Sequence, residues 1–216
     1  MKTNSKNFGL VTKKFNDFFL VDLTNQENLR ISERFLCKVK KSIKFKDQFI
    51  YVGDEVLIDN IDLKNKRAVI TSLNKRKNLL ARPSVANISN IYVTFSVEEP
   101  KLNLSQVNRF LISAESIGVE VSLVLTKCDL ISAKRRTFLL DKFRKWGYQA
   151  ITLNLQKSVY FQNLLAELKQ KKCSIFMGPS GVGKTTLLNM IIPGLQNSTA
   201  PVSNKIKRGK NTTRNV

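Results

Sequence analysis

Gly178-Pro179-Ser180-Gly181-Val182-Gly183-Lys184-Thr185 spells G-x-x-x-x-G-K-[ST] in full and follows the apolar run Cys173-Ser174-Ile175-Phe176-Met177. A strand, a glycine-rich turn and a helix, in that order, form the context in which this pattern cradles phosphate. The glycines let successive backbone N–H groups turn inward around a β-phosphate. The helix expected from about Lys184 to Ile191 adds the positive end of its dipole. Lys184 would reach the β- and γ-oxygens, and the Thr185 hydroxyl would hold Mg²⁺. The contacting set is expected to run through Gly178, Pro179, Ser180, Gly181, Val182, Gly183, Lys184, Thr185 and Thr186. A chance glycine-rich turn is the bland alternative, and motif and context together speak against it. The loop alone does not choose between ATP and GTP.

Upstream, Thr126-Lys127-Cys128-Asp129 closes the apolar run Val119–Leu125. Such a site, at the carboxyl end of a strand, is where open α/β sheets bind ligands. A carboxylate at Asp129 can accept hydrogen bonds from guanine N1–H and N2–H₂, donors that adenine lacks. The Lys127 stem would pack over the base, Thr126 would fix the loop, and Cys128 lies between them. Helix capping is the ordinary alternative for Asp129. Beside a phosphate loop the guanine reading is preferred, which argues against a P-loop ATPase or kinase. In most GTPases the base-reading element follows the phosphate loop. Here it precedes it, so the sheet is expected to be circularly permuted.

The pattern around these motifs alternates strand and helix after Arg82-Pro83, which predicts βαβ units and a parallel sheet. Ile91–Val97 reads as a strand, and Val107, Phe110, Leu111, Ala114 and Ile117 as a helical stripe closed by Gly118. Ser132 can cap a helix whose Leu139, Phe143 and Trp146 share a face and which ends at Gly147. A strand over Ala150–Leu153 and a helix through Phe161, Leu164, Leu165 and Leu168 complete the pattern. Before Arg82, the runs Phe18–Leu23, Phe35–Val39, Glu55–Ile58 and Arg67–Thr71 read as short strands, with turn signals at Asn25, Gly53-Asp54 and Asp59-Asn60. Four or five such strands suggest a small OB-type barrel, a fold that commonly binds nucleic acid. The expected division is residues 1–81 as an OB-fold RNA-binding domain and 82–216 as a circularly permuted P-loop GTPase domain.

Charge points the same way. Lys and Arg number 37 against 16 Asp and Glu, a formal net charge of +21. Such an excess attracts polyanions, and RNA is the expected partner. Compositional drift toward Lys is an alternative, but it does not account for the shortage of acids. The cluster Lys38, Lys40, Lys41, Lys44 and Lys46 reads equally as an RNA surface or a solvated strand face. A membrane surface is disfavoured, because no basic helix with an exposed aromatic face is legible. No apolar run is long enough to span a bilayer. Cys37, Cys128 and Cys173 are scattered and there is no histidine, so the usual zinc spacings cannot be built. The thiols are expected free, in a reducing compartment.

Taken together, the motifs and their order resemble the circularly permuted, ribosome-associated GTPase family RsgA (YjeQ). Tyr51-Val52-Gly53-Asp54-Glu55-Val56 is similar to that family's barrel signature. Arg109-Phe110-Leu111, Thr126–Leu130, Gly178–Asn189 and Gly209-Lys210-Asn211-Thr212-Thr213-Arg214 follow in family order. The resemblance implies a GTPase that acts late in maturation of the small (30S) ribosomal subunit, contacts 16S rRNA and is stimulated by that subunit. GTP/GDP and Mg²⁺ would be its ligands. Thr213, or its neighbour Thr212, would close on the γ-phosphate as a switch and share Mg²⁺ with Thr185. Lys184 and Thr213 are thus the expected catalytic residues, and Lys205–Lys210 a basic switch loop. Neither DNA nor a membrane is an expected partner, and the chain is expected to be monomeric, in bacterial cytoplasm or the stroma of a bacterial-descended organelle.

The chain departs from the family at Asn211, where a histidine is usual. The family also continues into a D-x-P-G element and a C-terminal zinc-binding domain, which Val216 precedes, so the chain is expected to be C-terminally truncated. Zinc belongs to the full-length family and is not carried over. A GTP- and RNA-binding fragment without hydrolysis is the alternative.

Overall fold

The structure, a computed structural model, describes residues 7–24, 30–40, 49–154 and 161–192. It falls into two compact units, the first ending at Ile88 and the second beginning at Ser89.

The first unit is a closed barrel of β1 (Asn7–Phe15), β2 (Phe18–Thr24), β3 (Arg30–Val39), β4 (Glu55–Asp62) and β5 (Arg67–Leu73). The strand order is β1-β2-β3-β5-β4, with β4 returning to β1 and β3 parallel to β5, so no edge is left open. Alternation dictates the core: Val11, Phe19, Val21, Phe35, Cys37, Val56, Ile58 and Ile70 point inward and are buried. β1 is absent from the sequence reading because Gly9 and the Lys13-Lys14 pair weaken its pattern. Gly9 is there for a close approach: a Cβ on it would lie 2.3 Å from Val21 Cγ1.

Asp59-Asn60, expected as a turn, instead lies inside β4, where the β4–β5 register shifts. The chain reverses one step later, where Asp62 accepts from the Asn65 backbone (3.0 Å) and amide (2.7 Å). The turn at Gly53-Asp54 is observed. Gly53 has φ +87°, and a Cβ there would stand 2.1 Å from the Ala86 carbonyl oxygen. Asp54, fully buried, accepts from Arg76 (2.7 and 2.8 Å) and from the Tyr51 backbone (2.8 Å). A short hairpin, β6 (Leu79–Leu80) and β7 (Val85–Ala86), finishes this unit, and Arg82-Pro83 sits in its turn. Asn25, Lys41, Lys44 and Lys46 lie outside the described residues.

The second unit alternates β8 (Asn90–Ser96), α1 (Leu104–Glu115), β9 (Glu120–Thr126), α2 (Ala133–Lys145), β10 (Ala150–Thr152), α3 (Phe161–Gln170), β11 (Ser174–Met177) and α4 (Lys184–Ile191). All four strands are parallel, in the order β10-β9-β8-β11. Every residue of β8 is buried, as a central parallel strand requires. The chain lays β9 and β10 on one side of β8 and then crosses to put β11 on the other. That reversal creates a topological switch point, with a crevice beyond the carboxyl ends of β8 and β11.

The helices obey their caps. Asn103 accepts from Gln106 N (3.1 Å) and Ser132 from Arg135 N (3.3 Å), while Gly118 and Gly147 follow α1 and α2 with φ of 73° and 91°. Trp146, 40% exposed at the C-cap, packs edge-to-face on the buried Phe143, the face expected for both. And α2 is a basic helix that exposes an aromatic side chain, Phe138, contrary to the expectation that none exists.

Candidate functional site

The loop from Gly178 to Gly183 joins β11 to α4 and rests on β8. A Cβ on Gly178 would lie 2.0 Å from the Thr94 carbonyl oxygen, so only glycine lets the loop start this close to the sheet. Gly181 (φ 81°) and Gly183 (φ 91°) occupy left-handed conformations. Between them Val182 is buried and pins the turn to the core. Gly183 is the N-cap of α4 and has no side chain with which to cap the helix. Pro179, Ser180, Thr185 and Thr186 are partly exposed along the same turn.

Lys184 folds back over the loop. Its Nζ donates to the carbonyls of Gly178 (2.9 Å) and Pro179 (2.7 Å), and burial pushes its pKa down. A largely desolvated ammonium held by two carbonyls, at the start of a helix, is matched to an anionic ligand. The residues present therefore fit a phosphate chain, with Thr185 as the side chain suited to hold its Mg²⁺. Among the described residues no group of three or more His, Cys, Asp or Glu side chains could hold a metal ion.

The second expected element leaves the carboxyl end of β9, one strand beyond β8. Leu123 to Leu125 are buried in the sheet and carry Thr126, also fully buried, to its edge. The Thr126 hydroxyl donates to the Val182 carbonyl at 2.6 Å. That one hydrogen bond ties the T-K-x-D element to the phosphate loop. Lys127 follows in a left-handed conformation (φ 57°), and its Nζ donates to the Glu99 carbonyl. Burial lowers the Lys127 pKa, against the opposing pull of Glu99 and Asp129.

Cys128 anchors the turn from below. Its backbone N–H reaches Leu153 O (3.4 Å), its Sγ lies 3.3 Å from Leu125 O, and burial raises the thiol to about 11. Asp129 stands exposed on the 3₁₀ turn Cys128–Leu130. Capping of α2 falls to Ser132, so the ordinary alternative for Asp129 loses its object. The carboxylate is left exposed, close enough to Lys127 to act on its charge.

Sequence reasoning missed the clamp around this loop. Glu99 holds Lys127 through its carbonyl, and Glu98 pairs with Arg135 at 3.0 Å. Neither residue belongs to a motif, and a backbone carbonyl has no residue-type signature. Thr212, Thr213, Asn211 and the basic run 205–210 lie outside the described residues. A cavity of about 660 Å³, lined by Glu115, Glu120, Arg144, Tyr148 and Glu167 among others, opens at the amino ends of β9 and β10. It is at the opposite end of the strands from both motifs. On the barrel, Lys38 sits over the Phe18 ring (5.0 Å) and Lys13 over Phe15 (4.8 Å), so cations and partly exposed rings share its surface.

Comparison with known proteins bears on the family and the fold. Residues 73–216 match the family model described as RsgA GTPase. The small ribosomal subunit biogenesis GTPase RsgA of Prochlorococcus marinus (strain NATL2A) is 40% identical over 85% of this chain. This chain spans 59% of that relative's length. The protein of the same name from Parasynechococcus marenigrum (strain WH8102) is 34% identical over 98% of this chain and 71% of its own. Among solved structures, YjeQ from Thermotoga maritima superposes with a TM-score of 0.77 at 29% identity, over 89% of this chain and 67% of that one. YloQ, a circularly permuted GTPase, superposes with a TM-score of 0.75 at 22% identity, over 92% of this chain and 68% of its own, and so supports the fold alone.

Proposed function

The chain belongs to the RsgA GTPase family, and from that premise we propose that it binds GTP and hydrolyses it during maturation of the small ribosomal subunit. The observation that carries the reading is the hydrogen bond from Thr126 to the Val182 carbonyl, because it makes the base-reading and phosphate-holding elements one site. Asp129 would accept from guanine N1–H and N2–H₂, and the Lys127 stem would cover the base. The loop N–H groups and the α4 N-terminus would hold the β-phosphate. Lys184 would exchange its two loop carbonyls for β- and γ-oxygens, placing its charge where phosphoryl transfer builds it up. Thr185 would hold Mg²⁺, which neutralises phosphate charge when bound. Thr213, or Thr212, would supply the switch over the γ-phosphate. GTP-dependent ordering there would couple nucleotide state to affinity for the subunit.

The barrel's OB order and the +21 net charge support contact with 16S rRNA. We propose a monomeric protein, working in bacterial cytoplasm or the stroma of a bacterial-descended organelle. No described helix is long and apolar enough to cross a membrane. Two measurements test the reading. Unlabelled GTP should displace a fluorescent guanine nucleotide, while ATP at the same concentration does not; equal displacement removes the guanine assignment. Phosphate release should rise when small ribosomal subunits are added, and a rate indifferent to subunits removes the ribosomal one.

A further inference from the structure

We propose that helix α2 is a second RNA-contacting surface of this chain, with Phe138 stacking on an unpaired base and Lys134, Lys142 and Lys145 meeting the flanking phosphates. The inference rests on the RNA-directed function above and adds a place and a mode of contact to it. Ala133–Lys145 carries Lys134, Arg135, Arg136, Lys142, Arg144 and Lys145 against a single acid, Asp141. The packing of Leu139 and Phe143 decides which side faces the sheet. Phe138 is turned away from it and is 64% exposed.

At helical spacing, its neighbours at i−4, i+4 and i+7 are Lys134, Lys142 and Lys145. Arg135 is taken by Glu98 (3.0 Å) and Arg144 by Asp141 (3.6 Å), while these three lysines carry no ion pair among the described residues. The surface is therefore one aromatic face ringed by uncommitted cations.

That pairing selects a ligand class. Phosphate alone satisfies the lysines and leaves the ring in water. Single-stranded RNA offers a π-face and phosphates at adjacent positions, and the stack needs no particular base. A duplex keeps its bases stacked and presents phosphates only. A lipid surface would need an apolar face around the ring, but the other outward positions of α2 include Ala133, Thr137 and Asp141. Within Ala133–Lys145, Phe138 is the one exposed large apolar side chain, with Trp146 40% exposed at the C-cap beyond it.

The test is fluorescence anisotropy of a short single-stranded oligoribonucleotide with the full chain, over a salt series. Phe138→Ala should weaken binding about tenfold without changing the salt slope, and Phe138→Tyr should bind like the parent. Lys134→Gln/Lys142→Gln/Lys145→Gln should weaken binding and make the negative slope of log K against log salt shallower by about 2. Circular-dichroism melts matching the parent keep these effects separate from folding. With the same sequence as a duplex, Phe138→Ala should lose nothing; an equal loss there overturns stacking. If the parent binds single strands and both variants match it, α2 is not the surface, while the ribosomal reading stands. If the parent binds neither this RNA nor small subunits, both readings fall. If the variants lose only binding to phosphatidylserine vesicles, the surface serves a membrane and the proposal is wrong.

Discussion

Two turns in this molecule are built alike and end differently. Gly53 in the barrel and Gly178 in the α/β unit each bring a chain so close to a neighbouring carbonyl that a Cβ would stand 2.1 and 2.0 Å away. Each is followed by a charged group drawn out of water. In the barrel that group, Asp54, is answered in full by the two-pronged Arg76 and the Tyr51 N–H. In the phosphate loop Lys184 finds two backbone carbonyls, with burial pushing its pKa down. A buried charge that is satisfied within the chain holds the fold. One that is satisfied only by dipoles is poised for something from outside.

The contrast can be broken at either end. Asp54→Ala strands Arg76 and the Tyr51 N–H, and is expected to cost the barrel about 3–5 kcal/mol in urea unfolding. Nucleotide affinity of the protein that still folds should not change. Lys184→Ala should do the reverse. Guanine-nucleotide affinity is expected to fall about tenfold to a hundredfold by titration, with unfolding stability within about 0.5 kcal/mol of the parent. If Lys184→Ala destabilises the fold as Asp54→Ala does, the lysine is structural and the comparison fails.

Thr126→Val sharpens the comparison by keeping the volume and removing the bond to Val182. A buried carbonyl left without that donor costs about 1 kcal/mol, and nucleotide affinity should fall roughly fivefold as the two loops lose their tie. The smallest effect is expected at Cys128. Burial raises its thiol from 9.0 to about 11, so the protonated form belongs to the folded state. Its contribution is fully present below pH about 9 and is lost as pH rises toward about 11. Melting temperature should thus drop less steeply over that window in Cys128→Ala than in the parent.

Much of this was legible in the sequence, for a reason that differs by region. The α/β unit writes its elements in long apolar runs and marks its ends with Ser132, Gly118 and Gly147, so strands and helices could be placed. The phosphate loop was readable because its glycines answer a backbone demand, visible at Gly178 as the contact with Thr94. The barrel was harder. β1 hides behind Gly9, whose missing side chain weakens a strand pattern while serving the approach to Val21. Asp59-Asn60 carries turn-forming residues into the middle of a strand, where a register shift accommodates them. Within the candidate site, Asp129 and Lys127 were singled out by type. The Glu99 carbonyl that holds Lys127 and the Val182 carbonyl that receives Thr126 could not be, because main-chain acceptors have no signature in a sequence.

The guanine assignment of Asp129 can be tested by reversing its polarity. Xanthine carries a carbonyl where guanine carries the 2-amino group, so an amide at this position should prefer it. Nucleotide competition should show Asp129→Asn losing GTP by about a hundredfold and gaining xanthosine triphosphate, with ATP excluded throughout. Unchanged affinity for both purines in Asp129→Asn would show that this carboxylate does not read the base, and would contradict the account at its centre.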